Sequence, residues 1–220
     1  MELNRKSWEK RWDAETPGFH QADVNVELRT HIDWLVGERP SGVYVPLCGA
    51  SIDLDWLATH FDAVVGTELI PAAVERFFRE RKQAPAVEIH GDHRRFSVGN
   101  VTIIEGDALS VKREIMGPIS SWYDRAAMIA LRPELRRIYV DALRRLLPAG
   151  ARGLLITLSY DQTIASGPPW SVSEEEVVDS YRGWCTIEKV QSSVAERIPS
   201  KFEGTQVIEA TYRLVRTEEV

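Results

Sequence analysis

Cysteine is scarce in this sequence, and long apolar runs are missing. The 220 residues include two cysteines, Cys48 and Cys185, which lie far apart and form no Cys-x-x-Cys pattern. Such sparse cysteine use is typical of a reducing compartment, so we expect a cytoplasmic protein without disulfides. No apolar stretch approaches the roughly 18 residues that indicate a membrane span, and the first residues contain no signal-peptide core. We therefore expect neither export nor membrane insertion.

Basic residues are fewer than acidic ones. Lysine and arginine number 27 against 33 aspartates and glutamates, which gives a formal net charge of −6. A negative protein repels polyanions instead of releasing their counterions, so we expect no nucleic-acid partner. Four arginines share one predicted helix, and we expect them to form its solvated face. They are Arg136, Arg137, Arg144 and Arg145.

A cluster of metal ligands is also missing. His90 and His93 are the nearest approach to one, but they flank the Gly91-Asp92 pair and have no third or fourth ligand nearby in sequence. A zinc site needs three or four ligands, so a hairpin turn is the better interpretation. We predict no metal.

Apolar segments of strand and helix type alternate along the chain. A helical pattern covers residues 8–35, Pro71 stands where a helix should begin, and Ser173 with Glu176 has the spacing of a capping box. A helix is predicted at 133–147, with an apolar stripe at Leu135, Ile138, Leu143 and Leu146. Strands are predicted at 43–45, 63–66, 87–89, 96–98, 101–104, 122–123, 153–158, 186–190 and 206–214.

This alternation indicates a parallel sheet that is covered by helices on both faces, with an antiparallel pair of strands at the end of the chain. The length fits one domain. We therefore predict a single α/β domain over residues 1–220, with an N-terminal helical cap at 1–40 and a core at 41–220. The hairpin after Pro85 is predicted to be a small insertion.

Ligands of such sheets bind beyond the carboxyl ends of the strands. The loop at 46–51 has one glycine, Gly49, where a dinucleotide fingerprint has three, so it is a weak nucleotide signal. Glu68, roughly 20 residues after that loop, is placed to accept bonds from ribose hydroxyls, or else is a solvated helix-capping acid. Asp107 after the next core strand is either a ligand contact or a turn-forming residue.

Five short motifs occur in order along nearly the whole chain. They are W-E-K-R-W at 8–12, G-F-H-Q at 18–21, V-P-L-C-G at 45–49, Y-D-R-A-A at 123–127 and G-P-P-W-S-V at 167–172. Together the motifs and their spacing resemble the thiopurine S-methyltransferase family. The resemblance implies a Rossmann-like class I methyltransferase with a mostly parallel, seven-stranded sheet and S-adenosylmethionine as the cofactor.

The resemblance also implies the cofactor contacts: Trp12, Leu47, Glu68, Asp107, Ala108 and Arg125. Trp12 offers a flat π surface to a sulfonium cation, although it could equally be a core aromatic residue paired with Trp8. Arg125 has the geometry to bind the methionine carboxylate or an anionic substrate, and its alternative is a salt bridge with Asp124.

The resemblance also supplies candidate acceptor contacts, five within the motifs and one near the last strand: Phe19, His20, Arg125, Pro169, Trp170 and Arg197. Phe19 and Trp170 are suited to stacking on an aromatic ring. Trp170 stands where the family is expected to have a smaller phenylalanine, which leaves the pocket volume open. Arg197 either pairs with a substrate anion or is an ordinary solvated arginine.

No nucleophile-base pair is visible in the sequence. Cys48 has no paired histidine and is read as a small buried residue, and His20 and Asp23 are the nearest candidates for a base. Methyl transfer is an in-line displacement that needs positioning above all. We expect a monomeric methyltransferase for a small thiol or thione such as a thiopurine. The alternatives are methylation of inorganic sulfur, selenium, tellurium or halide ions, a nicotinamide-dependent oxidoreductase, and a non-catalytic binding domain.

Overall fold

The structure is a computed structural model, and it describes residues 2–13, 21–38, 41–195 and 200–218, with side chains from residue 5 onward. The chain divides into two compact units, Met1–Ile119 and Ser120–Val220. The assignment of residues 1–220 to one domain stays a prediction.

The described residues of the first unit form four α-helices and five strands. In chain order they are α1 (Glu2–Trp12), α2 (Val26–Val36), β1 (Gly42–Val45), α3 (Asp53–Leu57), β2 (Ala63–Glu68), α4 (Pro71–Glu80), β3 (Ala86–His90), β4 (His93–Val98) and β5 (Val101–Glu105). The strand order is β3-β4-β5-β2-β1. The pairs β1–β2 and β2–β5 are parallel, whereas β3–β4 and β4–β5 are antiparallel.

The hairpin of β3 and β4 turns at Gly91-Asp92, as predicted. It is not an insertion outside the sheet, because β4 pairs with β5 from Arg94↔Glu105 to Val98↔Val101. The seven-stranded sheet that the resemblance implied is therefore wrong. The described residues contain nine strands, one at each of the nine segments that the local patterns predicted. The physical reason is that β5 would otherwise leave a row of backbone groups unpaired. β3 is therefore the edge strand on this side of the sheet, and its Ile89 is 77% exposed.

Helix α4 begins where the sequence predicted. Pro71 occupies the first turn, where its missing N–H costs no helical hydrogen bond. Its buried side chains, Ala73, Val74, Phe77 and Phe78, recur at helical spacing. This spacing gives α4 one apolar stripe, and all four residues belong to the core of the molecule.

Two α-helices and four strands are described in the second unit. They are β6 (Ser121–Arg125), α5 (Pro133–Leu146), β7 (Arg152–Ser159), α6 (Glu174–Tyr181), β8 (Cys185–Val194) and β9 (Ile208–Arg216). The strand order is β6-β7-β9-β8. β6 and β7 are parallel, and β9 is antiparallel to both β7 and β8. The predicted antiparallel pair of strands at the end of the chain is confirmed.

The buried face of α5 differs from the predicted stripe. Ile138 is 50% exposed, whereas Arg136 is 2% exposed. The Arg136 guanidinium donates to both Glu176 oxygens, at 2.6 and 2.7 Å, and to the Leu131 carbonyl at 3.1 Å. The prediction that all four helix arginines face solvent is therefore wrong for Arg136, because an acid 40 residues away neutralises it.

Helix α6 is capped by its predicted residue. Ser173 Oγ accepts the Glu176 N–H at 3.1 Å. The Glu176 carboxylate does not complete a capping box, because it binds Arg136 instead. A tertiary ion pair thus replaces the local bond that the sequence pattern favoured.

Two general properties of the described residues bear on function. In that part of the chain, every helix is too short or too polar to cross a membrane. Within the same residues, no group of three or more His, Cys, Asp or Glu side chains could hold a metal ion.

Candidate functional site

The loop that follows β1 bends back onto the end of β2. The Cys48 N–H donates to the Thr67 carbonyl, and the Gly49 N–H donates to Glu68 Oε2, each at 2.9 Å. Leu47 has a φ of 47° and Gly49 a φ of 56°. Leucine rarely adopts this left-handed conformation, and such strain is concentrated at binding segments. The loop is therefore a candidate binding element, as the sequence predicted.

Two glycines allow close packing around this loop. A Cβ on Gly49 would lie 2.8 Å from a ring carbon of Trp12, and a Cβ on Gly66 would lie 2.5 Å from Cys48 Sγ. Trp12 and Cys48 are each 7% exposed. Burial raises the pKa of the Cys48 thiol well above its usual value, which opposes formation of a nucleophilic thiolate. The interpretation of Cys48 as a small buried residue is confirmed.

Glu68 ends β2 and is 6% exposed. Its Oε1 accepts the Ile70 N–H at 2.8 Å, and its Oε2 accepts the Gly49 N–H at 2.9 Å. Burial raises the pKa of Glu68 to about 7, although the hydrogen bonds from backbone N–H groups act in the opposite direction and lower it. A carboxylate offers about four lone-pair sites, so both oxygens can still accept from hydroxyl groups. The alternative of a solvated acid is wrong.

The loop after β5 meets the end of β2. The Gly106 N–H donates to the Glu68 carbonyl at 2.9 Å. Asp107 Oδ1 accepts the Leu109 N–H at 2.9 Å, so Asp107 does form a turn, and Ala108 is 5% exposed. The first unit thereby assembles the segments predicted to hold the cofactor at the carboxyl ends of β1, β2 and β5.

In the second unit, β6 ends at the Asp124–Arg125 pair. Asp124 is fully buried, and its Oδ1 accepts the N–H groups of Ala127 and Met128 at 3.2 and 3.1 Å. Its Oδ2 accepts the Tyr139 hydroxyl at 2.6 Å. Among the described residues no ion pair joins Asp124 to Arg125, so that alternative for Arg125 is wrong. The arginine is half-buried.

The loop at 167–172 also lies in the second unit. The Trp170 N–H donates to the Ile129 carbonyl at 2.7 Å, and the Tyr160 hydroxyl donates to the Pro169 carbonyl at 2.6 Å. The Trp170 ring covers Gly167 so closely that no Cβ fits between them. Backbone bonds and ring packing therefore fix this loop, and Trp170 remains half-buried.

A model of the thiopurine S-methyltransferase family matches residues 3–218. The chain belongs to this family. The thiopurine S-methyltransferase of Pseudomonas putida strain GB-1 is 40% identical over 211 residues, which are 95% of this chain and 98% of that protein. The thiopurine S-methyltransferase of Pseudomonas aeruginosa strain UCBPP-PA14 is 37% identical over 212 residues, with 95% and 97% covered. The chain is accordingly a methyltransferase, and the alternative of a nicotinamide-dependent oxidoreductase is wrong.

The fold agrees with this family. The N-methyltransferase NodS from Bradyrhizobium japonicum WM9, in complex with S-adenosyl-L-homocysteine, has a TM-score of 0.64 at 14% identity. The likeness covers 98% of this chain and 99% of that chain. A TehB-like methyltransferase from Corynebacterium glutamicum has a TM-score of 0.55 at 14% identity, with 98% and 97% covered. The class I methyltransferase fold is confirmed.

S-adenosylmethionine is the cofactor of the thiopurine S-methyltransferase family, and the first unit fits it. The observation that supports the fit is Glu68, a buried carboxylate that keeps acceptor capacity beside the loop after β1. Gly49 supports it as well, because its positive φ and its contact with Trp12 leave no room for a side chain.

Three of the predicted acceptor contacts, Phe19, His20 and Arg197, lie outside the described residues. Asp23 is described, and its side chain is exposed. The parts played by these four residues stay predictions.

Sequence reasoning missed His93 as a contact of the predicted cofactor site. Its Nε2 lies 3.3 Å from the Asp107 carbonyl oxygen. The sequence pattern placed His93 in the hairpin turn, whereas in the structure it is the first residue of β4. Nothing local shows that β4 brings this histidine to the loop after β5.

Proposed function

We propose that this chain methylates the sulfur of a small aromatic or heterocyclic thiol or thione, such as a thiopurine. The observation that carries the proposal is the 40% identity, over 95% of the chain, to the P. putida protein named thiopurine S-methyltransferase. Similarity over the whole chain includes the loops in which acceptor contacts are expected, and this supports transfer of the reaction type.

The proposed cofactor contacts are Trp12, Leu47, Glu68, Asp107, Ala108 and Arg125. Glu68 accepts the ribose hydroxyls with its remaining lone pairs, and Trp12 offers a π face to positive charge. When bound, S-adenosylmethionine supplies an electrophilic methyl group. The geometry of Glu68 supports its role, because its bonds to Gly49 and Ile70 fix the carboxylate in one orientation.

The proposed acceptor contacts are Phe19, His20, Arg125, Pro169, Trp170 and Arg197. Phe19 and Trp170 stack on the acceptor ring, and the two arginines stabilise its sulfur anion. The half-buried Arg125 supports this role, because no described acid neutralises it. Holding two reactants at near-attack distance supplies about 7 to 11 kcal/mol, so the reaction needs no enzyme nucleophile.

Methylation of an inorganic sulfur, selenium, tellurium or halide ion is the second candidate. A small anion needs no aromatic pocket, whereas the loop at 167–172 holds Trp170 in a fixed position. This observation favours the aromatic acceptor.

We further propose that the chain is one cytoplasmic, monomeric domain with no nucleic-acid or membrane partner. The net charge of −6 and two buried free cysteines support this proposal.

The test begins with calorimetric titration of S-adenosylmethionine, S-adenosylhomocysteine and NAD. Methyl transfer to an aryl thiol, a thiopurine, tellurite and iodide is then compared by mass spectrometry. We expect both adenosyl ligands to bind, NAD not to bind, and kcat/KM to be highest for a sulfur heterocycle. Absence of S-adenosylhomocysteine binding would refute the cofactor assignment, and faster turnover of an inorganic ion would refute the acceptor assignment.

A further inference from the structure

His93 is a buried histidine outside the family motifs. It is the first residue of β4 and is 8% exposed. Its Nε2 lies 3.3 Å from the Asp107 carbonyl oxygen and 3.4 Å from Ser110 Oγ. Ser110 Oγ donates to the same Asp107 carbonyl at 3.0 Å. Two side chains from different segments thus converge on one backbone oxygen.

The hydrogen-bond pattern determines where the proton of His93 lies. The Asp107 carbonyl can only accept, and the Ser110 hydroxyl hydrogen is already directed at it. Nε2 must therefore carry a hydrogen in order to bond to either oxygen. The neutral imidazole is then the Nε2–H tautomer.

The ring of His93 also supports the loop sterically. Gly106 has a φ of 146°, and a Cβ at this position would collide with the imidazole. The loop backbone therefore lies directly on the ring. Because Asp107 Oδ1 is fixed by the Leu109 N–H, the turn above the ring is held at both its carbonyl and its carboxylate.

We propose that His93 is a positioning residue for the part of the cofactor site formed by Asp107 and Ala108. It acts through the Asp107 carbonyl, which it holds by a hydrogen bond and supports by ring contact, and so it sets the position of these two residues. The inference rests on the proposed function, in which Asp107 and Ala108 contact the cofactor.

The experiment compares two substitutions that separate packing from hydrogen bonding. His93→Phe keeps a ring but has no donor, whereas His93→Gln keeps an N–H at a similar reach. The matched control is His90→Phe in the same hairpin, because the His90 side chain is 40% exposed and lies beside Glu88 at the surface. Each variant is titrated with S-adenosylhomocysteine, and KM is measured for cofactor and acceptor separately.

We expect His93→Phe to raise the dissociation constant about fivefold, as for loss of one hydrogen bond. His93→Gln should recover most of the affinity, and His90→Phe should leave it unchanged. The KM for the cofactor should rise in His93→Phe while the KM for the acceptor stays constant. Equal affinity of wild type and His93→Phe would overturn the inference alone. A wild-type protein that does not bind S-adenosylhomocysteine would overturn the proposed function as well.

A measurement on the unsubstituted protein keeps the inference testable if His93→Phe does not fold. Long-range ¹H–¹⁵N spectra at pH 8 should show His93 as the Nε2–H tautomer, with its shifts changing when S-adenosylhomocysteine is added. An Nδ1–H tautomer, or shifts unaffected by the ligand, would overturn it.

Discussion

The two compact units each place a buried carboxylate at the end of a parallel strand. Glu68 ends β2 in the first unit, and Asp124 lies in β6 of the second. Within the described part of the chain, Glu68 accepts hydrogen bonds only from backbone N–H groups and is 6% exposed, whereas Asp124 is fully buried and also accepts the Tyr139 hydroxyl. A carboxylate with access and spare lone pairs is suited to bind a ligand. A carboxylate that is fully buried and bonded to a tyrosine hydroxyl is suited to hold a turn.

The largest expected effect follows substitution of Asp124. Asp124→Ala removes a buried acceptor of three hydrogen bonds, which come from the Tyr139 hydroxyl and two backbone N–H groups. Because each buried unsatisfied group costs about 1 to 3 kcal/mol, we expect stability to fall by about 3 kcal/mol or more. Urea unfolding measures the loss. Glu68→Ala should cost less, since Glu68 accepts from backbone N–H groups and not from a buried hydroxyl as well. A larger loss for Glu68→Ala would contradict the comparison.

Ligand affinity should show the opposite order. Glu68→Gln replaces a charged acceptor, so S-adenosylhomocysteine should bind about tenfold more weakly or worse. The matched control is Glu105→Gln, because Glu105 lies opposite Glu68 in the β2–β5 register but is bound by the exposed Arg94. Calorimetry should find that Glu105→Gln binds S-adenosylhomocysteine with an affinity within about twofold of that of the wild type. Equal weakening in both variants would indicate a general charge effect.

The pH dependence of folding stability should also differ between Glu68 and Asp124. Burial raises the pKa of Glu68 from 4.5 to about 7, so the folded protein binds this proton more tightly than the unfolded chain. The contribution of Glu68 to stability is therefore complete below pH 4.5 and is lost as the pH rises through 7. Burial raises the pKa of Asp124 from 3.8 to about 6. The contribution of Asp124 to stability is therefore complete below pH 3.8 and is lost as the pH rises through about 6.

Ligand binding should have the reverse pH dependence for Glu68, because the carboxylate is the better acceptor for ribose hydroxyls. We expect the increase in melting temperature with S-adenosylhomocysteine to grow between pH 6 and pH 8. Scanning calorimetry across that range checks it. The growth should disappear in Glu68→Gln, and its persistence there would assign the titration to another group.

The smallest effect is expected at Asp23 and His20. Asp23 is an exposed carboxylate, unlike Glu68 and Asp124. Asp23→Ala and His20→Ala should lower the rate by well under the hundredfold typical of a lost general base.

Profiles of rate against pH for two aryl thiols whose pKa values differ by about two units provide the check. Their midpoints should follow the thiols. A shared midpoint that disappears in either variant would show that the protein does carry a base.

Local sequence patterns predicted the elements whose cause is local. Pro71 marked the start of α4, Ser173 capped α6, and the Gly91-Asp92 pair marked the hairpin turn. The place of that hairpin in the sheet could not be predicted, because strand pairing depends on which edge is free. The burial of Arg136 could not be predicted either, since its partner lies on another helix.

The candidate site divides in the same way. Glu68 was predictable because its distance from the loop at 46–51 is fixed by one strand-helix-strand unit. His93 was not, because its contact with Asp107 comes from antiparallel pairing of β4 with β5. The residues proposed to contact a ligand follow from the motifs, whereas His93, which is proposed to support them, is visible only in the three-dimensional structure.

The contact between Gly66 and Cys48 has a consequence for how this sequence can change over generations. Since a methyl group at position 66 would meet the sulfur at 2.5 Å, position 66 cannot gain a side chain unless position 48 loses volume. The two sites should therefore substitute as a pair among descendants of this chain. A library that randomises positions 48 and 66 together should recover folded combinations that neither single-site library contains.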